Sequence, residues 1–229
     1  MKPYVICHMI ASVDGRILPN RWHPPVEDRG IYERLHNELA GDAWLVGRVT
    51  GQEFALRDAP YPPYTGAPLP RENWFAQKEA NAWAVVLDAG GKIAWGRSEV
   101  GGDPLVVVLT QAVSDSHLAG LRADGVSYIF AGEQTIDLTT ALETLHRELG
   151  IRRLLLEGGG AANGALLQAG LVDELSLILA PSVEGTPGGP AVFDIHGEPA
   201  ALKRIGLALE SCQVMEGGLV WLRYRFSWS

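Results

Sequence analysis

At 229 residues the chain is long for one average domain but within the range of a single α/β domain, and 47% hydrophobic against 20% charged residues supplies one large core. A formal net charge of -8, with no Lys/Arg-rich block to offset it locally, sets a repulsion against polyanions and argues against nucleic acid as a partner. No apolar run approaches the ~20 residues that span a bilayer, and MKPYVICHMIASVDGR lacks a long apolar stretch with a small-residue cleavage site, so no membrane and a cytoplasmic address are expected.

Tyr4 to Ala11 is apolar enough for a buried strand and runs into the turn Ser12-Val13-Asp14-Gly15-Arg16. Pro19, Pro24 and Pro25 make residues 17 to 26 a loop. Ile31, Leu35 and Leu39 then fall on one helical face, with Glu27 and Asp28 near the start and Gly41 past the end. Ala43 to Val46 reads as a short strand ending at Gly47. Pro60, Pro62, Pro63, Pro68 and Pro70 exclude regular structure from 58 to 70. Strands follow at Ala82 to Leu87, Leu105 to Leu109 and Ser127 to Phe130, with a short helix at Ser114 to Leu121.

Leu138, Leu142, Leu145 and Leu149 recur with helical period, and Gly150 closes that helix. Arg153 to Glu157 is a strand that enters Gly158-Gly159-Gly160 and a helix reaching Ala169, capped by Gly170. Leu175 to Ala180 stops at Pro181, and Ala208 to Met215 pairs with Leu219 to Phe226 around Glu216-Gly217-Gly218. Early β/α alternation with a terminal hairpin predicts an α/β fold with a mainly parallel sheet and an antiparallel edge. Neither the 58–70 nor the 184–190 stretch is followed by a self-contained pattern, so one domain over 1–229 is expected.

Cys7 and Cys212 sit in apolar strand-like runs and read as small hydrophobes. Two cysteines do not supply the PCxxC zinc site of cytosine deaminases. His8, His23, His36, His117, His146 and His196 show no HExxH or comparable spacing, so no metal is expected. The glycine turn carries the clearest chemistry. Backbone amides at a helix start bind a phosphate only where no side chain blocks the approach, and Gly158, Gly159 and Gly160 remove three obstacles. Gly158-x-Gly160-x-x-Asn163 departs from GxGxxG at its third glycine, and a tight turn with close helix packing is the alternative.

The run from Glu157 through Gly158-Gly159-Gly160-Ala161-Ala162-Asn163 to Leu175, with Ala180-Pro181 and Gly185, resembles the C-terminal reductase domain of the riboflavin-biosynthesis deaminase-reductase family. Ala11 to Arg16, Asp42 to Gly47 and Val85 to Asp88 resemble it in the same order. The resemblance implies a dihydrofolate-reductase-like three-layer αβα fold and a homodimer. It also implies hydride transfer from NADPH to the ribose carbon of a ribosylamino-pyrimidine, a small-molecule substrate, as in 5-amino-6-(5-phosphoribosylamino)uracil reductases. Gly47-Arg48-Val49-Thr50 is similar to a second dihydrofolate-reductase feature, with Arg48 and Thr50 at cofactor phosphates. Thr110 and Gln111 would lie by the adenosine ribose and its 2′-phosphate.

Glu157 would orient substrate beside the nicotinamide. Asp14 and Ser12 lie where such enzymes gather substrate groups, although Asp14 also suits a pure turn. Arg29 is a candidate substrate-phosphate ligand, and Trp22 either shields a nicotinamide or packs. A nucleotide-binding module without catalysis, and a reductase of another heterocycle such as dihydrofolate, stay open as alternatives.

Overall fold

A computed structural model describes residues 1–26, 30–195 and 205–228. In chain order the strands and helices are β1 (Tyr4–Ser12), α1 (Ile31–Leu39), β2 (Ala43–Gly47), α2 (Arg48–Gln52), β3 (Trp83–Leu87), β4 (Glu99–Val100) and β5 (Asp103–Leu109). There follow α3 (Asp115–Ala123), β6 (Ser127–Phe130), α4 (Leu138–Leu149), β7 (Arg153–Leu156), α5 (Gly160–Gln168), β8 (Glu174–Ala180), β9 (Ile205–Val214) and β10 (Val220–Trp228). They gather into two compact units, the first holding Asp42–Arg152 with Met1–Pro3, the second Tyr4–Gly41 with Arg153–Ser229.

In the first unit β2, β3, β5 and β6 pair in parallel in that order, and β4 adds an antiparallel rung at the start of β5. Val106 to Leu109 are completely buried, as expected where a parallel strand is covered on both faces and reads as a continuous apolar run. The helix ends follow local chemistry. Ser114 caps α3 by accepting from the His117 amide, Asp137 caps α4 by accepting from Thr140, and Gly150 closes α4 at φ 68°.

In the second unit β1 lies in parallel between β7 and β8, with Ile6 opposite Leu155 on one side and His8 opposite Ser176 on the other. β10 returns antiparallel to β8, and β9 pairs with β10 through a bulge at Arg223/Tyr224. Gly217 and Gly218, at φ 71° and 78°, make the connecting turn that L side chains resist. The parallel core and antiparallel C-terminal hairpin are those expected from the sequence.

α1 ends at Leu39 with its cap Ala40 in the left-handed region at φ 49°, and Gly41 lies past the end as expected. One local expectation changes. Cys7 is buried but Cys212 is exposed, because β9 is the outer strand of its unit and shows both faces. The acidic pair Glu27 and Asp28 at the α1 start lies outside the described residues. Among the described residues no helix is long and apolar enough to cross a membrane.

Candidate active site

The second unit carries two carboxylates at the C-terminal ends of neighbouring parallel strands, the position where open α/β sheets collect ligands. Glu157 follows β7 directly. Its side chain is 11% exposed, and its Oε1 lies 2.7 Å from Nδ1 of His36 on α1. Burial raises the Glu157 pKa, while the His36 ring and the Tyr32 hydroxyl oppose the rise by favouring the anion. Tyr32 and His36 are four residues apart on α1 and flank the buried stripe of Ile31, Leu35 and Leu39, so one helix turn presents both groups.

Beneath them Tyr32 stacks on His8 with ring centroids 4.4 Å apart, and the His8 carbonyl oxygen, 3.1 Å from the Tyr32 hydroxyl, competes with Glu157 for its one proton. Trp221 donates through Nε1 to the Ser176 oxygen at 2.8 Å, and that hydroxyl sits 3.0 Å from His8 Nδ1. With His8 Nε2 facing the Tyr32 carbonyl oxygen at 3.4 Å, the consistent assignment is an Nε2-protonated ring accepting at Nδ1 from Ser176. This buried relay fixes β1 against α1. Beside it a cavity of about 200 Å³ is lined by Ile10, Pro19, Trp22, Val26 and Tyr32. Trp22, 2% exposed, packs as a wall of that cavity.

Asp14 meets different surroundings after β1. Its carboxylate accepts from the Ser12 hydroxyl at 2.5 Å and from the amides of Glu184 and Gly185 at 3.1 and 2.8 Å. The Ser12 hydrogen bond first, and the Gly185 amide next, lower its pKa to about 2. Ser12 is buried, and its oxygen also accepts from the Arg16 amide at 3.0 Å. Arg16 in turn donates to the Gly189 carbonyl oxygen. Ser12, Asp14 and Arg16 thus clasp the 182–190 loop, which His23 holds from another side through paired backbone bonds with Val183.

After Glu157, Gly158 takes φ 115°, which only glycine adopts without strain, and turns the chain into α5. Gly159 is the helix N-cap and offers no side chain to the first turn, while Ala161 is exposed there. The amides of Gly160 and Ala161 have no acceptor among the described residues. Gly160 has an additional reason to be glycine: a Cβ would run into the Ala191 carbonyl oxygen and the Asp194 carboxylate. Asn163 is fully buried, and its amide donates to the Val192 carbonyl oxygen at 2.8 Å, so its side chain pins the 191–194 segment onto α5.

In the first unit Gly47 ends β2 and precedes α2, where Arg48 stands exposed with no ion pair among the described residues. Thr50 is half-buried two residues on. At the end of β5 the buried Thr110 hydroxyl donates to the Ala89 carbonyl oxygen at 2.8 Å, and Gln111 follows with an exposed side chain. All five residues therefore stand at C-terminal strand ends of their unit. Arg29 lies outside the described residues. Among the described residues no group of three or more His, Cys, Asp or Glu is placed to hold a metal.

His36 and Tyr32 are the participants that sequence reading missed. The signal was there in their i, i+4 spacing beside an apolar stripe, but their partner lies 121 residues away from His36.

Comparison with known proteins bears on this arrangement. The chain is 30% identical over 198 residues to the 2,5-diamino-6-ribosylamino-4(3H)-pyrimidinone 5′-phosphate reductase of Archaeoglobus fulgidus, covering 85% of this chain and 87% of the relative. It is 28% identical to the protein of the same name from Methanothermobacter thermautotrophicus, covering 96% and 97%. A pyrimidine reductase-like protein from Corynebacterium diphtheriae has the same fold, with a TM-score of 0.70 and 21% identity over 99% of this chain and 93% of that one. Residues 3–221 match the RibD C-terminal domain family, and at that extent the chain belongs to it.

Proposed function

We propose that the chain is an NADPH-dependent reductase of riboflavin biosynthesis that acts on a ribosylamino-pyrimidine 5′-phosphate, as a cytoplasmic homodimer. The observation that carries this reading is the likeness over 85% of the chain to a reductase named for that substrate class. Two such relatives carry the diamino-pyrimidinone in their names, which favours that form over the deaminated uracil first expected from the sequence.

The residues present suit a dinucleotide. Arg48 is an exposed guanidinium with no ion pair among the described residues, and the Gly160 and Ala161 amides at the α5 start have no acceptor among them. Within the first unit Gly47, Arg48, Thr50, Thr110 and Gln111 are the cofactor residues of this reading; within the second, taken by itself, Gly158, Gly159, Gly160 and Ala161 form the phosphate-type turn, while Asn163, fully buried and bonded to the Val192 carbonyl oxygen, supports α5 rather than touching a ligand. NADPH, when bound, supplies a hydride. The protein's own task is alignment in a dry site. The cavity walled by Trp22 and Tyr32 suits a flat heterocycle; Glu157, bonded to Tyr32 from outside the cavity lining, would orient its substituents, and Ser12 and Asp14 hold the neighbouring loop. The exposed Leu207, Leu209 and Val214 of the outer strand β9 support self-association, and sedimentation tests it.

The enzymatic test supplies purified protein with NADPH or NADH and either pyrimidine. Loss of the nicotinamide absorbance with the diamino-pyrimidinone supports the reading; a flat trace with both, despite cofactor binding, leaves a nucleotide-binding module instead. Turnover of dihydrofolate would redirect the substrate. Arg48→Ala raises KM for NADPH about tenfold with little change in kcat, the loss of one charge-assisted phosphate contact.

A further inference from the structure

We infer that His36 is a positioning residue for Glu157: it holds the carboxyl in one orientation and keeps it ionised in the pH range where the reductase works. The inference rests on the proposed reductase activity for its kinetic arm but not for its titration arm.

Glu157 leaves β7 one residue before the Gly158 turn, so its backbone is fixed between strand and turn, but its side chain has three rotatable bonds and an 11% exposed carboxylate. A carboxylate taken out of water needs a partner, or it keeps its proton. Groups around it pull in both directions. Glu33 on α1 and Cys7 on β1 share its field, and Glu33 disfavours a second negative charge. The Tyr32 hydroxyl and the His36 ring favour the anion. Of these only His36 can carry a positive charge. It stands 2.7 Å away through Nδ1, and it is 26% exposed against 11% for the carboxylate. Two groups this close titrate as a pair, with the charge of each depending on the other.

Removing the ring therefore has a sign. Without a cation the buried carboxyl retains its proton to higher pH, and the acid limb of the rate profile moves up. His36→Leu removes both charge and hydrogen bond. His36→Asn places an amide N–H near the former Nδ1, which restores the direction of the bond but not the charge. His36→Gln puts its amide nearer the former Nε2 and restores neither.

The expected outcome is a kcat for His36→Leu that is about tenfold lower at neutral pH and recovers as pH rises, with KM for NADPH unchanged. His36→Asn recovers part of kcat while its acid limb stays raised, and His36→Gln resembles His36→Leu. Independently of turnover, the carboxyl carbon of Glu157, followed by NMR in the free protein, titrates at higher pH in His36→Leu and in His36→Asn than in the wild type.

An active wild type whose His36→Leu and His36→Asn variants keep both the acid limb and the carboxyl titration overturns the inference and leaves the reductase reading intact. An inactive wild type with a shifted carboxyl titration does the reverse. If His36→Leu does not fold, the Asn and Gln variants decide the same question, and equal behaviour of those two overturns the geometric part.

Discussion

Glu157 and Asp14 make an instructive pair, because both are carboxylates at the ends of parallel strands in one unit and their surroundings drive them in opposite directions. Asp14 is exposed, and three hydrogen-bond donors saturate it, so it stays ionised down to a pH of about 2. Glu157 is desolvated, its pKa is raised, and it depends on a neighbouring ring for its charge. The first arrangement ties a loop down. The second leaves a carboxyl whose state responds to what binds beside it, which is the condition expected at a reacting centre.

The largest effect that tests this contrast is kinetic. Under the proposed activity, Glu157→Gln keeps the size and one hydrogen bond of the side chain but loses its charge, and kcat falls about a hundredfold. Asp14→Asn, which acts through a loop, lowers kcat only a few-fold. Equal losses in steady-state assays would erase the distinction between a group that faces substrate and one that shapes the loop. A smaller and purely structural effect sharpens the same point. Asp14→Asn weakens the hold on the Glu184 and Gly185 amides, so hydrogen exchange at those two positions speeds up while the amides of β1 and β8 keep their protection.

Much of the scaffold was legible because its causes are local. The leucines of α4 recur with helical period and Gly150 closes it, both read from the sequence, and the structure adds Asp137 as the cap at the other end. The site was legible in its backbone and not in its side chains. Glycines at 158 to 160 marked the turn, yet the reason Gly160 and Gly164 lack side chains also includes the segment near Asp194, some thirty residues on, which packs against α5. Asn163 stands where the dinucleotide motif has its third glycine, and it holds that same segment. His36 gave no metal spacing, and its pairing with Glu157 arises only when α1 is laid beside β7. Cys212 shows the same limit: an apolar stretch identifies a strand but does not tell an inner strand from an outer one.

The smallest expected effect is on stability, and here the two carboxylates differ in sign. The folded pKa of Glu157 lies above its ordinary 4.5, so the folded protein binds the proton more tightly than the unfolded chain. Its contribution to stability is fully present below 4.5 and is lost as pH rises through the folded value. A neutral glutamine escapes that loss, and Glu157→Gln is therefore more stable than the wild type at neutral pH, converging with it in acid. Asp14 behaves in reverse. Its folded pKa lies below the ordinary 3.8, so its contribution is present above 3.8 and disappears as pH falls towards 2. Asp14→Asn is accordingly less stable than the wild type at neutral pH and also converges in acid. Denaturant titrations of the three proteins across pH measure two difference curves that leave zero in opposite directions as pH rises. Curves of the same sign would mean that burial does not govern Glu157, and the contrast between the two corners would fail with it.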